Sequence, residues 1–117
     1  MKRSVAVLLT RAPYGRVHVP EGLRAARGVA AGFDRHDVTA VFTDDAVYAA
    51  REAVDREALN MPGHIADLLA EDGRLVADRA AMDERGVAPD EIAADVDVLD
   101  GEAVAELLLA ADHTLDF

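Results

Sequence analysis

Apolar residues fall along this chain in two rhythms, and the switching between them predicts its elements. Ser4 to Leu9 is a nearly unbroken aliphatic run. A run of that kind fits a strand covered on both faces, and so a parallel sheet. Arg11 to Pro20 holds two prolines and a glycine and reads as loop. Glu21 to Phe33 sets Leu23, Ala26, Ala30 and Phe33 at helical spacing, with Glu21 in the first turn where the helix dipole favours an acid. Val38 to Thr43 is a second strand, after which Asp44 and Asp45 read as caps of a short helix over Ala46 to Ala53. Asp55 to Pro62 is irregular, and Gly63 to Glu71 returns to helix with Ile65, Leu68 and Leu69 inward. Arg74 to Ala77 is a third strand, followed by a helix over Arg79 to Glu84 that Gly86 ends as a C-cap. Val87 to Ala94 is loop with a turn at Pro89-Asp90, and Asp95 to Leu99 alternates as an edge strand does. Asp100 to Ala110 is the last helix, with Val104, Leu107 and Leu108 inward, and His113 to Phe117 is a final strand.

Strands alternating with helical runs give βαβ units. The expected fold is α/β, a three-layer doubly wound sandwich with a five-stranded, mostly parallel sheet and helices on both faces. The strand Ser4 to Leu9 should be central, with Val5, Val7, Leu9, Leu23, Val41, Leu68, Val76 and Leu107 largely inaccessible. At 117 residues the chain is expected to form one domain spanning 1–117. With only five aromatic residues, its core must be built from Ala, Val and Leu.

Composition narrows the function. No apolar run approaches the roughly 18 residues of a membrane span, so no membrane partner is expected. The apolar stretch after Met1-Lys2-Arg3-Ser4 is too short for a signal peptide, which points to the cytoplasm. There is no cysteine, so disulfides and thiolate metal sites are ruled out. The net charge is −11, with eleven arginines to one lysine and 15 Asp to 8 Glu. This Asp-rich, lysine-poor balance looks like that of proteins from extreme halophiles, where salt screens self-repulsion; a GC-rich genome is the alternative source. Direct nucleic-acid binding is disfavoured, because neutralising phosphates needs a clustered basic surface.

Asp78 stands where the third apolar run hands over to a helix. In open α/β sheets that joint, at the carboxyl end of a strand, is where chemistry is usually placed. The residue has two readings, an N-cap of the following helix or a carboxylate of raised pKa acting as general base, and capping is what Asp does best there. The loop Arg11 to Pro20 could form an anion or partner contact, with Arg11, Arg16 and His18 beside a helix start. Its plainer reading is a turn shaped by Pro13 and Gly15, since no phosphate-binding fingerprint is present. His18, His36, His64 and His113 show no metal-ligand spacing, and neither a Gly-x-Ser-x-Gly elbow nor a Gly-x-Gly-x-x-Gly loop occurs. No metal and no cofactor are expected.

Several segments, in order, resemble the DsrE/DsrF/DsrH family of sulfur-relay proteins, also named TusD, TusC and TusB. Pro13-Tyr14-Gly15 matches a Pro-(aromatic or His)-Gly segment after the first strand, and Glu21-Gly22-Leu23 the opening of the first helix. Phe33-Asp34 matches that helix's end, and Asp45-Ala46-Val47-Tyr48 an acidic residue before Gly-Val-aromatic, with Ala46 in place of glycine. Ala111 to Phe117 resembles the closing strand. The matches run from residue 3 to 117, and Glu21-Gly22-Leu23 favours the DsrF/TusC branch. Sulfur-carrying members have a cysteine at the position of Asp78, eight residues before the glycine matched by Gly86.

The resemblance implies a non-catalytic subunit or regulator of a sulfur-relay complex serving tRNA thiolation or sulfur oxidation. Its partners would be further copies, or DsrE/TusD-like and DsrH/TusB-like subunits in a hetero-oligomer. Tyr14, Arg16, His18, Asp78 and Arg79 are the residues expected to contact a ligand or partner; no catalytic residue is assigned. A second reading is a small-ligand or anion-binding module forming its own homo-oligomer. A third is an enzyme using Asp78 with His18 or Arg79 for acid–base work, against which stands the absence of any triad or metal motif.

Overall fold

A computed structural model describes residues 3–14, 17–32 and 36–117 of the chain. The elements run β1 (Ser4–Leu9), α1 (His18–Ala30), β2 (Asp37–Phe42), a 3-10 segment (Asp44–Ala50), α2 (Pro62–Ala70), β3 (Arg74–Asp78) and α3 (Arg79–Glu84). A 3-10 turn (Pro89–Glu91), β4 (Val96–Leu99), α4 (Gly101–Ala110) and β5 (His113–Asp116) complete it. The five strands form one sheet in the order β4-β3-β2-β1-β5, and every pairing is parallel. β1 is interior, between β2 and β5, while the middle place belongs to β2.

The chain steps from β1 to β4 in one direction and then returns to the far side of β1. Right-handed crossovers therefore put α1 to α3 on one face and α4 on the other. The packing agrees. The large core joins Val5, Val7 and Leu9 of β1 and Phe42 of β2 to Leu23 of α1, Leu68 of α2 and Met82 of α3. The opposite cluster is small: Val41, Val76 and Val104 are buried, with Leu8, Leu99, Leu107 and Leu108 packed around them. On the large side α1 buries Val19, Leu23, Ala26 and Ala30, and each wholly buried Val or Leu contributes about 1.5–3 kcal/mol. Gly22 lets that helix lie against the sheet, because a Cβ there would overlap Leu9 Cδ2 and press on Phe117.

Some boundaries move from those expected. α1 starts at His18 within the expected loop, because Pro20 falls in the first helical turn, where its missing N–H costs nothing. Phe33 and Asp34 lie outside the described residues. The short helix expected over Ala46 to Ala53 is 3-10 and begins at Asp44. Leu107, expected to be inaccessible, is only half-buried, as are Leu69 and Leu108. Leu107 and Leu108 belong to α4, over which no second layer packs among the described residues. Gly86 sits just past α3 with a positive φ of 69°, and Val87 N–H donates to Met82 O at 2.9 Å, as a glycine-ended helix requires. Among the described residues, no helix is long and apolar enough to cross a membrane.

Candidate functional site

The parallel register lines up the first residue past each apolar run. Leu9 pairs with Phe42 and Phe42 with Ala77, so Thr10, Thr43 and Asp78 form a row at the carboxyl ends of β1, β2 and β3. Asp78 pairs in turn with Leu99 of β4. β3 and β4 are the neighbours whose following helices leave to opposite faces, which makes their carboxyl ends the switch point of the sheet.

Asp78 is half-buried, and both of its carboxylate oxygens are engaged. Oδ1 accepts the Ala80 N–H at 3.0 Å, capping α3, and Oδ2 accepts the Thr43 hydroxyl at 2.8 Å. Its backbone is extended (φ −78°, ψ 110°), the conformation from which a cap side chain folds over the helix start. The carboxylate thus ties the end of β2 to the start of α3. Arg79 turns away and donates through Nε to Asp83 one helical turn on, at 2.9 Å.

Thr43 escaped the sequence reading, although a signal was present. It is the first polar residue after its strand, as Asp78 is after β3, and aligned parallel strands make such residues neighbours. The expected caps at Asp44 and Asp45 are corrected by the structure. Thr43 holds the cap position of the 3-10 segment and no side chain caps it. Asp44 has a left-handed backbone (φ 47°), and Asp45 accepts from Arg85 Nε at 2.9 Å. That bond, the leading cause, raises the Arg85 guanidinium pKa further.

The loop after β1 is built differently. Thr10 donates its hydroxyl to Phe117 O at 3.0 Å, closing β1 onto the chain beyond β5. Tyr14 is 61% exposed, Arg16 lies outside the described residues, and His18 opens α1 without any side-chain cap before it. A cavity of ≈ 480 Å³ opens there, lined by Pro13, Val17, His18 and Pro20 on one side and Ala58, Leu59 and Asn60 on the other. Asp78 and Arg79 are not among its walls. The expected contact residues thus fall into two groups, Tyr14 and His18 at β1, and Asp78 and Arg79 at β3, separated by β2.

Beside that cavity His64, on α2, has a lowered pKa because burial disfavours its charged form, with Arg27 and Arg24 adding repulsion. Arg27 donates to Asp67 Oδ2 at 2.6 Å, holding α1 to α2. Among the described residues, no three His, Asp or Glu side chains converge as a metal ion would need.

An all-parallel, doubly wound sheet with a polar row at its carboxyl ends defines a small α/β protein of the class whose ligands bind outside the strand ends, at the switch point. The profile of the DsrE/DsrF-like family matches residues 3–117, and the chain belongs to that family. Membership implies a sulfur-relay-related role in general terms. Two solved structures share the fold over the whole of both chains: the YchN protein of E. coli, at 21% identity with a TM-score of 0.79, and MTH1491, a protein of unknown function from Methanobacterium thermoautotrophicum, at 16% and 0.73. No curated protein matches the chain.

Proposed function

We propose that this chain is a non-catalytic subunit or regulator of a sulfur-relay complex, closest to the DsrF/TusC branch, serving tRNA thiolation or sulfur oxidation. One observation carries the reading. At the position where sulfur-carrying members have cysteine, this chain has Asp78, whose two oxygens are taken up by Ala80 N–H and the Thr43 hydroxyl. Persulfide transfer forms a sulfur–sulfur bond on a thiolate; a carboxylate forms none, and the chain has no cysteine elsewhere. What remains is assembly, with the persulfide held by a cysteine-bearing paralogue in the same oligomer.

Purification of the tagged full chain from its native host tests this. A cysteine-bearing DsrE/TusD-type subunit should co-purify, and sulfur label should load onto that subunit alone. A homo-oligomer of this chain with no such partner overturns the proposal. If it also carried a bound small molecule, it would favour the ligand-binding module, for which the cavity between the starts of α1 and α2 is the supporting observation.

A further inference from the structure

The helix α4 is apolar almost all round, yet it is covered on one side only. Of its residues Gly101 to Ala110, only Glu102 and Glu106 are polar. Helices of that composition belong inside a protein, between two layers. Here Val104 is the one buried residue, Leu107 and Leu108 are half-buried, and Leu109 is 87% exposed. Glu102, Ala105, Glu106 and Leu109 share the outward stripe, at the spacing of successive turns.

Charge says what kind of surface would cover it. All twelve lysines and arginines lie at or before Arg85, whereas nine acids follow that position. Of these, Asp95 and Asp97 are neutralised by Arg56 and Arg74, and Asp112 accepts the Ser4 N–H. Arg74, which alternation along β3 puts on the α4 face, is thus already engaged. The charges on α4 itself are Glu102 and Glu106, and the register that sets the exposed Asp116 of β5 beside Leu8 puts a third acid on the same face of the sheet.

We infer that the α4 face docks a different protein, one presenting an apolar patch rimmed by lysine or arginine. A second copy is the poorer occupant. Face-to-face pairing would set Glu102 and Glu106 against themselves, since a two-fold interface repeats one patch on both sides. Head-to-tail pairing draws on cations elsewhere, and among the described residues Arg24, Arg27, Arg56, Arg74, Arg79 and Arg85 are each engaged by an acid of the same chain, which leaves few to meet the α4 face. The inference does not rest on the sulfur-relay reading and holds for any role of the strand ends.

Two synthetic amphipathic helices serve as probes, one of leucine and lysine, the other of leucine and glutamate. The basic probe should bind the full chain and the acidic one should not. Leu109→Ser and Glu106→Lys should each weaken binding at least about tenfold, with helix content unchanged. Glu57→Lys, an equal charge change on an exposed loop, should leave it unaltered. No binding, or binding that all three variants weaken alike, overturns the inference. So does a wild-type homo-oligomer at low salt that Leu109→Ser splits, for then a second copy covers the face.

Discussion

The carboxyl ends of β3 and β1 are the two places where a doubly wound sheet of this kind could do chemistry, and this chain builds them in opposite ways. At β3 a half-buried carboxylate is fixed by two donors and starts a helix from extended backbone. At β1 the threonine turns back to the chain end, and α1 begins from Val17 with a helical backbone (φ −101°, ψ 0°) and no side-chain cap. The ≈ 480 Å³ cavity lies beside the second, and neither Asp78 nor Arg79 lines it. The polar group with the more suggestive position is therefore the one already committed to structure, and open space is found where the side chains are less distinctive.

The largest effect should come from Asp78→Ala, which removes a cap worth about 0.5–2 kcal/mol and strands the Thr43 hydroxyl. Chemical denaturation should show a loss of about 2 kcal/mol. Asp78→Asn keeps an acceptor oxygen and should lose under half of that. If both variants keep full stability, the carboxylate is not a bracket, and its reading as a general base gains ground.

A smaller effect is expected at the other joint. Val17→Asp puts a favoured capping residue before α1, but a helical backbone at that position cannot aim the side chain at the helix N–H groups. Only the dipole contribution of about 0.3–1 kcal/mol is on offer, so the gain should stay at the lower end. A gain above about 1 kcal/mol would mean that the start of α1 does accept a cap, and the contrast between the joints would weaken.

Smallest is a pH response on the α1–α2 side. His64 has a lowered pKa in the fold, so on acidification the unfolded chain takes the proton first. Its contribution to stability is present above the usual value of 6.5 and is lost as pH falls below it. Stability followed between about pH 7.5 and 5.5 should decline in the wild type and decline less in His64→Gln. Equal slopes would remove His64 as the cause.

Much of this was legible in the sequence, for identifiable reasons. The continuous run Ser4 to Leu9 announced a strand covered on both sides, and Asp78 with Gly86 marked both ends of α3 to the residue. The start of α1 was missed because proline punctuates loops and first helical turns alike. Thr43 was missed because it acts through register, which appears only when two strands are set side by side. Leu107 and Leu108 mark the harder limit. Helical spacing tells which residues share a face, and not whether another layer exists to cover it. The cavity at His18 depends on Asn60, 42 positions away, and no local pattern joins them.

Whether Asp78 is a structural bracket is decided most directly by a double-mutant cycle with Thr43. Stability would be measured by denaturation for the wild type, Asp78→Ala, Thr43→Val and the double variant. Ala80 N–H is lost equally in both arms that lack Asp78, so the cycle isolates the 2.8 Å bond between the ends of β2 and β3. The expected coupling is about 1.5 kcal/mol, the lower end for a hydrogen bond to a charged group. Additivity within about 0.3 kcal/mol would contradict it, and would leave the Asp78 carboxylate free for a ligand or a reaction.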